Sequence, residues 1–285
     1  MRLHGEKVAI LGAGQVGRAL YDELARHATC RLFAHGELDI LDEAALNEAF
    51  AQFKPAVVFH TAAFTKVNEC ERDPARAHEV NAVGTQNVVR AAASLGSAVV
   101  YFSTDYVFPG KPEGEYGEDD EPAPLNVYGA TKLEGEGAVA ADEHGLIIRT
   151  AQVFAPQGRN FANAVIANYK EHGVVKVVDD EYATPTYAPH LASALVALLP
   201  VANAKLYHVR GPEALTYYDF AAKIFAHAGL PVESLVRISS RELDMPAPRP
   251  QRAVLGMSRH LAHGLSPLPP LDDAISEFLA ASQLG

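Results

Sequence analysis

A doubly wound parallel sheet covered by helices is the architecture this chain predicts, an α/β fold of 285 residues. Short apolar runs alternate with amphipathic stretches through the first half, the rhythm of strands buried on both faces. A glycine turn, Gly12-x-Gly14-x-x-Gly17, stands where the first strand gives way to the first helix. Further on, Tyr128 and Lys132 lie four positions apart on one face of a predicted helix.

The elements follow in order. Lys7–Leu11 is the first apolar run, and residues 18–26 form a helix with Ala19, Leu20 and Leu24 inward. Residues 31–34 read as a second strand, 43–53 as a helix and 56–60 as a third strand. A long helix over 74–95, a strand over 98–102, a helix over 128–143 and a strand over 146–150 complete the series. Ser103-Thr104-Asp105-Tyr106 falls just past the strand that ends at Phe102. The acidic run over 113–121 breaks the order and reads as a solvated surface loop. Past residue 150 the alternation loosens and prolines gather at 246–250 and 267–270. The expected division is a first domain over 1–150 and a smaller, mixed C-terminal domain from the remainder of 151–285. Residues 187–211 are expected to return to the first domain as a helix (189–199) and a strand (207–210). No internal repeat or low-complexity segment is present.

Hydrophobic content of 48% and charged content of 21% are ordinary for a globular protein. A net charge of −11 argues against nucleic-acid binding, which needs a basic footprint. Two cysteines, Cys30 and Cys70, cannot build a disulfide framework and read as reduced thiols. No apolar run approaches about 18 residues and no signal-peptide pattern opens the chain, so a cytoplasmic, unanchored protein is expected.

The glycine turn gains meaning from its context, after a strand and before a helix. Gly12 permits the tight turn, Gly14 lets backbone approach a pyrophosphate, and Gly17 lets helix and strand close together. The helix N-terminus then offers free amides to phosphate, as in a Rossmann-like dinucleotide site. Sites that prefer NAD carry an acid at the end of the second strand; here that stretch is Phe33-Ala34-His35-Gly36, with no carboxylate before Glu37. Arg18 and His35 could approach a 2′-phosphate, so the lean is towards NADP(H), with NAD(H) possible. Asp39 reads either as a contact for the adenine end or as a loop acid.

An isolated tyrosine has a pKa near 10, and a fixed ammonium beside it favours the phenolate. Tyr128 with Lys132 therefore suits a general acid that interconverts carbonyl and alcohol. Thr104, at a strand end where an open sheet places its ligand crevice, could hydrogen-bond the carbonyl; alone, the 103–106 cluster would read as a turn.

These residues resemble the dTDP-4-dehydrorhamnose reductase family within the extended short-chain dehydrogenases/reductases. The resemblance runs across most of the chain and is densest at 61–68, Val80-Asn81-Ala82, 103–110 and 124–136. Arg149-Thr150, Asn160-Phe161, Pro185-Thr186 and Arg249-Pro250 match as well. It implies Tyr128 as proton donor, Lys132 as its partner and ribose anchor, and Thr104 as the hydroxyl beside the reacting carbonyl. It implies Asp105 as a substrate contact, Gly14, Gln15 and Val16 at the pyrophosphate turn, and Asp39 with Ile40 at the adenosine. Ala62, Ala63, Phe64 and Thr65 are implied to line the nicotinamide side. The implied activity is NAD(P)H-dependent reduction of the 4-keto group of a nucleotide-linked 6-deoxy sugar, with dTDP-4-dehydrorhamnose the leading substrate.

Three departures stand out. The glycine turn is one residue shorter than is common in the family. Gln152 stands where the family carries a tryptophan at the nucleotide-sugar, and the chain has no Trp. The segment 180–186 has Ala183 where the family carries glycine. The magnesium ion described at a dimer contact in some relatives finds no matching ligands here; a magnesium requirement and a homodimer both stay open. His260 and His263, three apart, are expected to be surface histidines, not metal ligands, and no metal site is expected. Arg249 reads equally as a diphosphate clamp or a surface charge. Two other functions fit the same residues: another nucleotide-sugar reductase or epimerase, and a non-catalytic NADP-binding subunit resembling the methionine adenosyltransferase regulatory subunit.

Overall fold

The structure, a computed structural model, describes residues 3–282. The first half runs β1 (Lys7–Leu11), α1 (Gln15–Leu24), β2 (Thr29–Phe33), α2 (Glu43–Phe53), β3 (Val57–His60), α3 (Val67–Arg72), α4 (Pro74–His78), α5 (Gly84–Ala93), β4 (Ala98–Thr104), α6 (Val127–Ala141) and β5 (Gly145–Thr150). The second half continues with β6 (Val153–Phe154), α7 (Phe161–His172), β7 (Val175–Val178), β8 (Tyr182–Ala183), β9 (Thr186–Tyr187), α8 (Ala188–Leu198) and β10 (Leu206–His208). It ends with β11 (Leu215–Thr216), α9 (Tyr217–His227), β12 (Leu235–Ile238), α10 (Ser258–Ala262) and α11 (Leu271–Ser282).

Six strands form one parallel sheet in the order β2-β1-β3-β4-β5-β10. The winding reverses between β1 and β3, which opens a crevice at their C-terminal ends. Alternation along β1 divides the core: Val8 and Ile10 pack with Leu20, Leu24, Leu191 and Leu195 on the α1/α8 face. Ala9 and Leu11 pack with Leu46, Phe50, Val58 and Val88 on the other. A second core gathers Val165, Phe220, Ile224, Phe225, Ile275 and Phe278 from α7, α9 and α11. α8 and β10 come from the C-terminal half, α8 against α1 and β10 beside β5.

The expected long helix over 74–95 is interrupted. After α4 the backbone widens into a π-helical turn at Glu79–Val83 before α5 resumes and stops at Ala93. Asn81 in that turn spends its amide on Phe64 and Thr131, contacts that no local pattern specifies. The preceding α3 was not anticipated. β4 runs two residues further than expected, so Ser103 and Thr104 end the strand and a 3₁₀ turn starts at Asp105.

The acidic segment lies at the surface as expected, with Glu113, Glu115, Asp119, Asp120 and Glu121 exposed, but it is anchored at Tyr116 and Glu118. Glu118 is buried and accepts from Ser258 Oγ at 2.6 Å and the Arg259 amide at 3.1 Å, while Tyr116 stacks on Phe108 at 4.2 Å. His260 is likewise buried, with Nε2 2.9 Å from the Ser266 carbonyl, and His263 meets the Tyr207 hydroxyl at 3.0 Å. Neither is the free surface histidine the sequence suggested. Cys30 and Cys70 are free thiols. Among the described residues no helix is long and apolar enough to cross a membrane.

Candidate active site

Gly12 leaves β1 at φ 99°, and a Cβ there would stand 2.7 Å from the Ala62 amide. A Cβ on Gly17 would lie 1.9 Å from the Gly12 carbonyl oxygen, so α1 can approach its strand only with glycine there. Gly14 differs: nothing lies within 4 Å of its Cβ position. It is the N-cap of α1, and no side chain caps the helix, so the first amides remain available to an anion. This open glycine at an uncapped helix start fits a pyrophosphate.

The turn forms one end of a cavity of about 980 Å³. Gly12, Gly14, Gln15 and Val16 lie on its wall and Gly17 behind it, at the helix–strand contact. Gln15 reaches across the cleft to accept from Asn160 Nδ2 at 2.8 Å, tying α1 to the C-terminal half. Arg18, His35, Asp39 and Ile40 line the outer end. Asp39 Oδ1 accepts the Leu41 amide at 3.0 Å. Glu37 is off the wall, paired with Arg31 at 2.9 Å.

Beyond β3, Ala62, Ala63, Phe64 and Thr65 line the middle of the cavity. Thr61 Oγ1 fixes this loop to β1 through the Leu11 and Gly12 carbonyls at 2.8 and 2.9 Å. Asn81 holds both polar groups of Phe64, accepting its N–H at 2.8 Å and donating to its carbonyl at 3.1 Å. Thr61, Asn81, Asn160 and Tyr217 were given no role from sequence, although 61–68, 80–82 and 160–161 carried the resemblance. A polar residue inside a helical stretch was the available signal for Asn81.

Asn126 starts α6 by accepting the Gly129 amide at 2.8 Å, and the helix then presents Tyr128 and Lys132 to the cavity one turn apart. Lys132 is 2% exposed, and its Nζ sits 3.9 Å from the Tyr101 ring centroid. Burial brings its ammonium down to about 7, opposed by Glu136 one turn on. Glu136 itself is bound bidentately by buried Arg149 at 2.8 and 2.7 Å. Burial pushes the Tyr128 phenol well above its ordinary range; the Thr104 hydroxyl pulls it down, and Asp105, Cys70 and Tyr106 add to the rise. The expected ammonium-assisted phenolate is therefore not supplied by the fold alone, because Lys132 packs on Tyr101 and loses its charge near neutrality.

Thr104 Oγ1 donates to Asp105 Oδ1 at 3.0 Å and accepts the Tyr106 amide at 3.2 Å. Burial pushes the Asp105 carboxyl up to about 7. The Tyr106 ring meets Tyr128 edge-on, centroids 5.9 Å apart. Gln152 closes this end at φ 41°, a strained backbone for a non-glycine residue, with its Oε1 accepting from Tyr217 Oη at 2.8 Å. Arg249 is not on the cavity wall and donates to Asn68 Oδ1 and the Ala247 carbonyl, each at 3.1 Å. Among the described residues, no cluster of three or more His, Cys, Asp or Glu could hold a metal ion.

A glycine turn that fits a pyrophosphate at one end of the cleft, and a Tyr–Lys pair with a strand-end hydroxyl at the other, are the features of an extended short-chain dehydrogenase/reductase. A family model described as RmlD substrate binding domain matches residues 6–284. The dTDP-4-dehydrorhamnose reductase of Streptomyces griseus is 37% identical over 94% of this chain and 91% of its own. The solved dTDP-4-dehydrorhamnose reductase of Bacillus anthracis, in complex with NADP, is 32% identical and superposes with a TM-score of 0.93 over 97% of this chain and 99% of its own. That of Clostridium acetobutylicum is 33% identical, with a TM-score of 0.92 over 97% and 99%. The chain belongs to the dTDP-4-dehydrorhamnose reductase family, and it is an NAD(P)H-dependent oxidoreductase.

Proposed function

We propose that this protein reduces the 4-keto group of dTDP-4-dehydrorhamnose, giving dTDP-L-rhamnose, with NADPH as the reductant. The observation that carries the reading is the cavity itself: Tyr128, Lys132 and Thr104 line one continuous cleft with the loop after β3 and the glycine turn. Gly14, Gln15 and Val16 hold the pyrophosphate, Asp39 and Ile40 the adenosine, and Arg18 with His35 the 2′-phosphate. Ala62, Ala63, Phe64 and Thr65 seat the nicotinamide, with Lys132 at its ribose. When bound, the dinucleotide supplies hydride to the sugar carbonyl carbon. Thr104 hydrogen-bonds the carbonyl oxygen and Tyr128 delivers its phenolic proton to it. A contact between Lys132 and the ribose gives the amine a polar partner in place of the Tyr101 face, which favours its charged form and so eases Tyr128 towards the phenolate. Asp105 and Gln152 bound the sugar, and the C-terminal region from residue 151 forms the nucleotide-sugar side of the cleft.

NADPH oxidation against a panel of 4-keto-6-deoxy nucleotide-sugars, varied in nucleotide and in ring stereochemistry, tests this. Fastest turnover is expected on dTDP-4-dehydrorhamnose. A different preferred sugar would reassign the substrate, and no oxidation on any member of the panel would remove the reductase reading.

A further inference from the structure

We propose that Asp105 is a positioning residue that sets the direction of the Thr104 hydroxyl proton, so that Thr104 donates to the substrate carbonyl only while Asp105 is protonated. The inference rests on the reductase reading above and assigns a regulator to the same site.

A threonine hydroxyl has one proton and two lone pairs. One lone pair of Thr104 accepts the Tyr106 amide at 3.2 Å, and the proton points to Asp105 Oδ1 at 3.0 Å. An ionised carboxylate can only accept, and a charge-assisted bond is roughly twice as strong as one to a neutral carbonyl. Ionised Asp105 therefore keeps the proton, and Thr104 shows the cavity a lone pair that repels a carbonyl oxygen. Protonated Asp105 reverses this arrangement. Its O–H donates into the second lone pair of Thr104, and the threonine proton is released towards the space beside Tyr128. Two donors, Tyr128 and Thr104, then converge on one oxygen, as stabilising a developing alkoxide requires.

The switch operates near neutrality because burial raises the Asp105 carboxyl to about 7 against the pull of Thr104 and two backbone amides. Its titratable neighbours are Tyr106 beside it, Tyr128 and Lys132 from α6, and Tyr217 from α9, with Glu181 and Arg249 acting on Tyr106 and Tyr217. The three phenols are all raised by burial, Tyr106 to about 12, and stay neutral here. Lys132 also comes down to about 7, so the two titrations must be separated by substitution.

The test measures kcat and KM for NADPH-dependent reduction of the 4-keto nucleotide-sugar from about pH 5 to 9. Wild type is expected to lose roughly tenfold in kcat per pH unit above about 7, as one essential proton is lost. Asp105→Asn, whose amide donates to Thr104 at every pH, moves that limb up by at least about one unit whatever its effect on KM. In a Thr104→Val background, Asp105→Asn leaves the kcat profile where it was. A limb that stays in place in Asp105→Asn overturns the proposal and assigns the titration to Lys132. A second readout needs no turnover: carbon-13 NMR of the carboxyl groups in the cofactor-free protein, with Asp105 identified by its loss in Asp105→Asn. Its midpoint is expected near 7 and higher in Thr104→Val, where the carboxylate has lost a donor. The same midpoint in both proteins overturns the proposal. If wild type reduces no keto-sugar, the functional reading fails, and the NMR comparison still decides whether Asp105 and Thr104 share the proton.

Discussion

In the proposed reaction Tyr128 gives up the proton, and its ring is braced edge-on by Tyr106. Tyr128→Phe removes the proton and leaves the ring, so turnover should fall by roughly 10²–10⁴, the usual worth of general acid help. NADPH affinity, measured by fluorescence titration, should barely change, because the glycine turn proposed to hold the phosphates lies at the other end of the cleft; unchanged turnover would take Tyr128 out of the mechanism. Lys132 carries a folding cost. Its folded value of about 7 lies below the 10.5 of an exposed lysine. Between those values the unfolded chain binds the proton and the folded chain does not, so stability rises with pH across that window. At and below pH 7 the penalty stands in full. Lys132→Met should therefore stabilise the cofactor-free protein by roughly 4–5 kcal/mol at pH 7 in urea unfolding, with the gain shrinking towards pH 10, while activity is lost. An equal gain at both values would mean that Lys132 pays no charge penalty.

The turn between β1 and α1 separates two duties that glycine performs. Gly17 serves packing, since any Cβ there meets the Gly12 carbonyl. Gly14 faces open space with φ −78° and ψ −167°, a conformation alanine adopts freely. Gly17→Ala should cost at least about 2 kcal/mol of stability, as overpacking does. Gly14→Ala should leave stability within about 0.5 kcal/mol yet weaken NADPH binding by at least tenfold, about 1.4 kcal/mol. Calorimetry beside cofactor titration separates the two; intact NADPH affinity in Gly14→Ala would mean that the phosphate does not approach there. The interrupted helix carries a related lesson. Residues 79–83 have ordinary helical spacing, yet they form a π turn in which Asn81 bonds Phe64 and Thr131, 17 and 50 positions away.

The cleft lies between the sheet and the second core, and Gln15 with Asn160 bridges its mouth. A dinucleotide that binds the folded state alone raises its apparent stability by mass action. With Arg18 on the wall beside His35 and Asp39, and Glu37 off the wall and tied to Arg31, the adenosine end offers a guanidinium to a 2′-phosphate. NADPH should therefore raise the melting temperature more than NADH at equal concentration. Arg18→Ala should narrow that difference, and equal shifts in the wild type would place cofactor choice elsewhere. The return of α8 and β10 to the first sheet was legible, as a leucine-rich helical stretch and a short apolar run. The anchoring of the acidic segment was not, since Glu118 and Ser258 are 140 residues apart in the chain.

Features specified within a few neighbouring residues were readable from sequence alone: buried strands from unbroken apolar runs, the cradle from three glycines, the Tyr–Lys pitch from helical spacing. Each depends on backbone geometry and side-chain period, which adjacent residues set. Tertiary structure alone decided that Lys132 loses its charge near neutrality, that Asp105 titrates with it, and that Gln152 leans on Tyr217. Those outcomes follow from desolvation and from partners far along the chain, and neither quantity exists until the fold has excluded water and brought distant segments within hydrogen-bonding reach.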